Sequence, residues 1–229
     1  MTAAAIALAA GAGVRMGADL PKALIPLRGR PLLAWSLAAL AGSPAIGEIV
    51  VTAPSGQVRT VEMALGSDLA VDRVVEGGSS RARSVAAGLA AVSPAIDVVL
   101  VHDTARPLVS TELIDRVVEA LEESDGALAA TPLTDTLKRA DGGLVVEETL
   151  DRSAHWLAQT PQGFRRHVLA EALERATAED RLDAATDCAS LLEAIGRRVR
   201  IVPSPPSNLK VTTPSDLEVA ERLLSQRES

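Results

Sequence analysis

The sequence predicts an α/β protein with a doubly wound, mostly parallel sheet that carries helices on both faces. Short apolar runs of β-type residues alternate along the chain with longer segments whose apolar residues recur at helical spacing. The connections between these segments are short, as they are in doubly wound sheets. Apolar residues make up 47% of the chain but aromatic residues only 1%, so the core consists of small side chains that suit closely stacked layers.

The strands and helices are predicted in order from this alternation. The predicted strands are Ala4–Ala10, Glu48–Ala53, Val71–Val75, Val98–His102 and Ala127–Pro132. The helices predicted between them are Pro31–Leu40, Gln57–Leu65, Ser80–Val92 and Thr111–Glu123. Helical spacing then returns at Arg165–Glu179, a last short strand is predicted near Arg200–Val202, and a closing helix begins at Ser215. Because the functional loops of such a sheet follow its strands, binding residues are expected at the strands' carboxyl ends.

One stretch breaks the strand–helix alternation. Thr136–Ala140 and Leu144–Thr149 flank Asp141-Gly142-Gly143, a pattern typical of a two-stranded hairpin with an Asp-Gly turn. A single hairpin is marginally stable in water. We therefore expect this one to pack against the rest of the domain or against a second subunit.

Charge and cysteine content limit the class of protein. The net charge of −7 argues against nucleic acid or an anionic membrane as the main partner. Cys188 is the only cysteine, so no intramolecular disulfide can form, and a reducing, cytoplasmic location is expected. The apolar start of the chain is short and has no basic leader, which favours a buried strand over a signal peptide or a membrane span.

The first candidate binding loop follows the first predicted strand. It reads Ala9-Ala10-Gly11-Ala12-Gly13-Val14-Arg15-Met16-Gly17 and continues to Pro21-Lys22. Glycines let backbone N–H groups approach phosphates closely, and Arg15 and Lys22 add fixed positive charge within an acidic protein. The loop is therefore predicted to bind a triphosphate.

A dinucleotide-binding fingerprint is the main alternative for this loop. It is disfavoured because Met16 stands where that motif has its third glycine. The second predicted strand also ends in Val51-Thr52-Ala53-Pro54, without the acidic residue that would bind a ribose. A Walker loop would need Gly-Lys-Ser/Thr, which is absent.

A second loop, Glu76-Gly77-Gly78-Ser79-Ser80, leads into the predicted helix that contains Ser84. Ser79 or Ser80 has a natural role as the helix cap. The paired glycines suggest in addition a backbone that lies flat against a ligand. With so few aromatic residues, a base has to be read by backbone groups and hydroxyls, and this loop is the best place for that.

The third loop, Val101-His102-Asp103-Thr104-Ala105-Arg106-Pro107, follows a fully apolar strand. Asp103 at this strand end is well placed to hold a Mg²⁺ ion that bridges triphosphate oxygens. The residues alone leave open an Asp103–Arg106 ion pair that only shapes the turn. His102 is expected to face the core or the turn.

Hydroxyl and cationic groups suited to phosphate recur in later segments, each of which alone is an ordinary cap or turn. The sequence blocks that carry these groups and the three loops above are, in chain order, AAGAGVRMG…PK, EGGSSRARSV, VHDTARP, TDTLKR, DR…W…QTPQGF, TDCASLLE and NLKVTTPSDL. Together they cover nearly the whole chain, and they resemble the 2-C-methyl-D-erythritol 4-phosphate cytidylyltransferase family.

The resemblance implies a Rossmann-like nucleotidyltransferase fold, with residues 1–229 as one domain and residues 134–152 as a protruding hairpin arm for dimerisation. It also implies a homodimer that uses CTP, a polyol phosphate and Mg²⁺. The implied products are 4-diphosphocytidyl-2-C-methyl-D-erythritol and diphosphate, in non-mevalonate isoprenoid precursor biosynthesis.

Residue roles follow from the resemblance position by position. The positions expected to hold the triphosphate and the reacting phosphates are Arg15, Lys22 and Lys210, and Asp103 is expected to coordinate Mg²⁺. The positions expected to contact the nucleotide are Ala10, Gly11, Gly13, Gly78 and Ser84. The positions expected to bind the polyol phosphate are Arg106, Thr136, Arg152, Thr160, Thr186 and Thr212. Of these last, Thr136, Arg152 and Thr160 are expected to enter the partner subunit's site from the arm. Cys188 departs from the family's usual acidic or small residue.

The implied chemistry is an in-line attack by a phosphate oxygen of the substrate on the α-phosphorus of CTP. A phosphate monoester has its second pKa at about 6, so it is already largely dianionic and needs no general base. Positioning and charge neutralisation are what the step requires. A cytidylyltransferase for another polyol phosphate, such as ribitol 5-phosphate, shares most of these blocks. A nucleotide-binding module without turnover and a nicotinamide-dependent dehydrogenase are the alternatives from other classes.

Overall fold

The structure is a computed structural model that describes residues 1–11, 20–66 and 69–227. The strands in chain order are β1 (Ala3–Leu8), β2 (Pro26–Leu27), β3 (Arg30–Pro31), β4 (Ile46–Ala53), β5 (Arg73–Glu76), β6 (Val98–Asp103), β7 (Gly126–Pro132), β8 (Leu137–Ala140), β9 (Val146–Leu150), β10 (Trp156–Arg165) and β11 (Val199–Pro203). The α-helices are α1 (Leu32–Ala41), α2 (Val58–Leu65), α3 (Arg81–Ala91), α4 (Thr111–Glu119), α5 (Arg166–Ala178), α6 (Cys188–Ala194) and α7 (Pro214–Arg227).

Within the described residues, a central sheet has the strand order β11-β7-β10-β6-β1-β4-β5. β1 pairs in parallel with β4 on one side and with β6 on the other. β10 runs antiparallel to both of its neighbours, β6 and β7. The prediction of a mostly parallel, doubly wound sheet is confirmed.

β10 is the strand that the sequence analysis missed. Pro161 and Gly163 lie inside it, and both residue types argue against a central strand. Pro161 fits because the pairing with β7 shifts register between Ala158 and Gln162, so this stretch makes no regular ladder with β7. The small β2–β3 hairpin and α6 were not predicted either.

Helices cover both faces of the sheet, and the alternation of side chains along β1 feeds both layers. Ala3, Ala5 and Ala7 belong to the core cluster that β1 shares with α1, α2 and α4. Ala4 and Ile6 belong to the cluster on the other face, formed with α3, α5 and α6. Small side chains along β1 let both helical layers approach the sheet closely, as the composition indicated.

Gly88 marks one such close approach, between α3 and the sheet, and Gly88→Ala is expected to destabilise the protein by up to about 2 kcal/mol, which is an overpacking cost of about 1–3 kcal/mol less the helix propensity gained. A Cβ at this position would lie 2.4 Å from Cγ2 of Ile6, a buried branched side chain that has no room to move. The overlap outweighs the helix propensity that alanine gains over glycine, about 1 kcal/mol. Chemical denaturation measures the change. Gly142→Ala is the control, since no atom lies within 4 Å of its added Cβ, and equal stability losses in both variants would contradict this account.

A third, smaller cluster attaches the closing helix to the body of the protein. It joins Leu27 and Leu108 to Val211 and to the buried face of α7. Val211 is fully buried, and its N–H donates to the carbonyl of Ala105. The segment before α7 is thus fixed next to the loop that follows β6.

The predicted hairpin is present as β8 and β9, which pair antiparallel. Its tip turns at Asp141, whose Oδ1 accepts hydrogen bonds from the N–H groups of Gly143 and Val145. Leu144, Val145 and Val146 are 88%, 64% and 57% exposed, so apolar side chains of the hairpin lie uncovered on the single chain. No helix in the described part of the chain is long and apolar enough to cross a membrane.

Candidate active site

A cavity of about 490 Å³ opens at the carboxyl ends of β1 and β6. This is where the chain order reverses across the sheet, because β4 lies on one side of β1 and β6 on the other. Loops that are far apart in the sequence meet here. The predicted site residues on its wall are Ala10, Gly11, Lys22, Gly78, Ser84, Asp103, Lys210 and Thr212. The predicted residues Gly13 and Arg15 lie outside the described residues.

The charged centre of the cavity is Asp103, the last residue of β6. Nζ of Lys210 lies 2.6 Å from its Oδ2, and Nη2 of Arg81 lies 3.2 Å from its Oδ1. Burial alone would raise the pKa of Asp103, but these two cations outweigh it and hold the pKa well below the usual range of a carboxyl. Asp103 is therefore an anion at neutral pH.

The ion pair that the sequence left open, Asp103–Arg106, is not what the structure shows. Arg81 was not singled out by the sequence analysis, although one signal pointed to it. It opens α3, whose first turn holds no acidic residue, and the helix macrodipole disfavours a cation there. A cation at such a position indicates that a carboxylate from elsewhere compensates it.

Lys210 is held in place by its neighbours in the chain. The side-chain amide of Asn208 donates to Oε1 of Gln159 and to the carbonyl of Thr160, and Val211 is fixed as described above. Lys210 itself keeps a side chain that is 41% exposed. Its backbone is anchored, while its ammonium group pairs with Asp103 at the solvent-accessible side of the cavity.

The glycines of the second loop serve packing. A Cβ on Gly78 would lie 2.3 Å from Cβ of Arg83, and one on Gly77 would lie 2.8 Å from both Ala10 and Oγ of Ser84. Ser84 Oγ also accepts a hydrogen bond from the N–H of Gly78 and donates to the carbonyl of Ser80. The glycines thus allow this loop to lie against α3 and the first loop while its backbone borders the cavity.

Thr160 requires a correction, because it does not lie on the hairpin arm. It is 3% exposed in β10, and its Oγ1 accepts a hydrogen bond of 3.0 Å from the N–H of Asp103 in its own chain. Nδ1 of His102 lies 3.3 Å from the same hydroxyl. Burial lowers the pKa of His102 to about 4, so the ring is neutral. Its Nε2 lies 3.4 Å from the carbonyl oxygen of Arg106, which can only accept, so Nδ1 is the nitrogen that accepts from Thr160. The side chain of Thr160 therefore contacts Asp103 and His102 of its own chain, and its expected contribution to a partner's site stays a prediction.

Two other predicted substrate residues lie away from the cavity wall. Arg106 is 8% exposed, and its Nη1 donates to the carbonyl of Asn208. This guanidinium therefore supports the segment that carries Lys210. Thr186 is exposed on the loop before α6 and lies beside a separate, smaller cavity.

Thr136 and Arg152 both lie at the base of the hairpin, just before β8 and just after β9. Both are exposed, and Nη1 of Arg152 donates to the carbonyl of Thr134, two residues before Thr136. Neither residue lines the cavity of its own chain. They remain available to a second subunit.

Comparisons with known proteins agree with this geometry. The family model for "2-C-methyl-D-erythritol 4-phosphate cytidylyltransferase" matches residues 3–226. A protein of that name from Synechococcus sp. (strain CC9902) is 44% identical over 96% of this chain and 96% of its own. The crystal structure of such an enzyme from Thermus thermophilus has a TM-score of 0.81 at 37% identity, covering 97% of this chain and 98% of its own. A 4-diphosphocytidyl-2C-methyl-D-erythritol synthase from Anaerococcus prevotii has a TM-score of 0.86 at 28% identity, covering 98% of both chains.

Proposed function

The chain belongs to the 2-C-methyl-D-erythritol 4-phosphate cytidylyltransferase family, and we propose on that premise that the cavity at the ends of β1 and β6 is its active site. The enzyme joins CTP and 2-C-methyl-D-erythritol 4-phosphate into 4-diphosphocytidyl-2-C-methyl-D-erythritol and diphosphate, in isoprenoid precursor biosynthesis. The observation that carries the assignment of the site is that Lys22, Asp103 and Lys210 meet at one cavity.

The chain's residues contribute to the step by positioning and by charge. Two polyanions must come together, and negative charge builds on the departing diphosphate. We propose that Lys22, with Arg15 from the same loop, holds the triphosphate, and that Lys210 faces the reacting phosphates. Backbone groups of Gly11 and Gly78 border the same cavity and are proposed to contact the nucleotide. No general base is needed, since the attacking phosphate oxygen is already ionised.

The residues on the wall also fit a magnesium ion that is bound together with the nucleotide. Mg²⁺ is commonly held by one or two carboxylates plus substrate phosphates and water. Asp103 is such a carboxylate, and the described residues contain no cluster of three or more acidic, histidine or cysteine ligands that would build a cage of protein groups alone. Asp103 is thus the proposed ligand. The bound ion would neutralise charge on the triphosphate.

Asp103→Asn is expected to lower kcat and to raise the Mg²⁺ concentration for half-maximal activity, each by about tenfold or more, because one anionic ligand becomes neutral. Initial rates across a Mg²⁺ titration measure both changes. Glu171→Gln is the control, since Glu171 pairs with Arg197 on the surface and neither residue lines the cavity. Normal activity with an unchanged titration in Asp103→Asn would leave Asp103 as a structural ion-pair partner only.

We further propose that the protein is a homodimer whose hairpins reach the partner's cavity. The apolar side chains at the hairpin tip are exposed, and Thr136 and Arg152 lie at its base, off the wall of their own chain's cavity. A two-stranded hairpin is at best marginally stable alone, so the exposed side chains of this one favour cover by a second copy of the chain.

Turnover assays test the substrate assignment directly. The purified protein, offered each nucleoside triphosphate with 2-C-methyl-D-erythritol 4-phosphate and Mg²⁺, is expected to release diphosphate with CTP. Ribitol 5-phosphate in the same assay separates the nearest alternative. Binding of CTP without any diphosphate release would point instead to a non-catalytic nucleotide-binding module.

A further inference from the structure

Helix α3 begins with two arginines at positions where the helix macrodipole disfavours cations. Each is compensated by a carboxylate from another element. Arg83 pairs with Asp183 on the surface, where the two side chains are 45% and 54% exposed. Arg81 pairs with Asp103 inside the cavity, where the side chains are only 24% and 12% exposed. The Arg83–Asp183 pair is therefore exposed to solvent, whereas the Arg81–Asp103 pair is largely shielded from it.

Arg81 is immobilised by three contacts. Its Nε and Nη2 each lie 3.2 Å from Oδ1 of Asp103, and its Nη1 lies 3.4 Å from Sγ of Cys188. Cys188 is fully buried, and burial raises the pKa of its thiol, so this neighbour carries no charge. The guanidinium charge of Arg81 is therefore directed at one oxygen of Asp103.

Lys210 holds the other oxygen of Asp103 in a different way. Its Nζ lies 2.6 Å from Oδ2, but its side chain is 41% exposed and sits on a flexible four-carbon stem. A divalent cation needs at least one oxygen of this carboxylate. Oδ2 is the oxygen whose cationic partner is the more exposed of the two.

We propose that Arg81 is a positioning residue of the transfer reaction, which fixes Oδ1 of Asp103 so that Lys210 can give up Oδ2 when the metal–CTP complex binds. Lys210 is thereby released toward the reacting phosphates at the moment when the nucleotide is loaded. The inference rests on the proposed function, because it takes Asp103 as the metal ligand.

CTP affinity measured without the second substrate tests this inference in the absence of turnover. The relevant quantity is the metal enhancement, defined as the Kd of CTP in EDTA divided by the Kd of CTP in saturating Mg²⁺, each from calorimetry. Arg81→Lys keeps the charge but loses the planar fork, and it is expected to lower the enhancement about tenfold, as the loss of a group that orients a metal ligand does. Arg83→Lys makes the same change in the same helical turn and is expected to leave the enhancement within about twofold, since a surface pair contributes little.

A second variant tests the exchange at Oδ2. Lys210→Met removes the cation that pairs with this oxygen. The metal enhancement is therefore expected to rise about fivefold, because Mg²⁺ no longer has to displace a partly exposed ion pair. Turnover is expected to collapse, because the ammonium group that faces the reacting phosphates is lost. An unchanged enhancement in Lys210→Met would overturn the proposal that Lys210 gives up Oδ2 of Asp103 to the metal ion. An unchanged enhancement in Arg81→Lys would overturn the positioning role of Arg81 and leave it as a counter-charge only. If the wild-type protein binds CTP equally well with and without Mg²⁺, Asp103 is not a metal ligand. That result would contradict the proposed function itself, and not only this inference.

Discussion

Lys22→Ala is expected to lower kcat/KM for cytidylyl transfer by about two to three orders of magnitude, equivalent to about 3–4 kcal/mol of lost transition-state stabilisation. The ammonium group is proposed to neutralise charge that builds on the departing diphosphate, and water cannot supply a preorganised replacement. The fold is expected to survive. Lys22 opens a short 3₁₀ turn whose buried residues are Ala23 and Leu24, and these carry the packing of the turn.

Steady-state kinetics and thermal melting of the same preparation separate catalysis from stability. Lys22→Arg is the informative companion variant, because it keeps the charge. It is expected to be poor as well, since a planar fork does not replace a compact ammonium group in a tight loop. Arg197→Ala removes a cation that pairs with Glu171 at the surface and serves as the control. A Lys22→Ala enzyme within a few-fold of wild type would show that the triphosphate assignment is wrong.

Mixing two inactive variants is expected to restore activity if the hairpin crosses to the partner. Lys22 lies on the cavity wall, whereas Arg152 lies at the base of the hairpin and off that wall. Lys22→Ala and Arg152→Ala homodimers are each expected to be nearly inactive. In a mixed dimer, however, one site collects both substitutions and the other site collects neither, because a two-fold interface exchanges the same elements in both directions.

The expected recovery has a definite size. Random remixing of equal amounts makes about half of the dimers mixed, and each mixed dimer has one intact site of two. Activity is therefore expected to return to about a quarter of wild type when subunits exchange freely and the sites act independently. No recovery, with heterodimers verified by mass spectrometry, would place Arg152 in its own chain's site or outside catalysis. A monomer in sedimentation at working concentrations would defeat the idea before any mixing.

Much of the fold could be predicted because its signals are local. The alternation of Ala3–Leu8 between two apolar layers, and the helical spacing of Thr111–Glu119, depend on residues a few positions apart. The hairpin was predicted for the same reason, from an Asp-Gly turn between two strands. β10 was missed because Pro161 is compatible with a strand only where the pairing with β7 shifts register, and that pairing depends on residues far away in the sequence.

The site was predicted in part. Asp103 and Lys22 were singled out because charge at the end of an apolar strand, or in a glycine-rich loop, is visible in the sequence, whereas Lys210 was assigned by the resemblance. The contact of Thr160 with Asp103 was not predicted, because it depends on the pairing of β10 with β6 and β10 was not among the predicted strands. The glycine at position 78 was expected for a ligand, and the structure adds a second reason, the approach of the loop to α3.

The sequence by itself determined the fold class, the family and the segments that bear charge at the ends of strands, because periodicity and glycine-rich loops are properties of neighbouring residues. Only the tertiary structure decided which cations face Asp103. Arg106 lies three residues away along the chain, yet Arg81 and Lys210, from a helix start and a late loop, hold the two carboxylate oxygens. The physical reason is that a buried carboxylate pairs with the cations that the packing of distant elements brings within reach, and at that range three-dimensional distance, not sequence separation, sets the Coulomb energy.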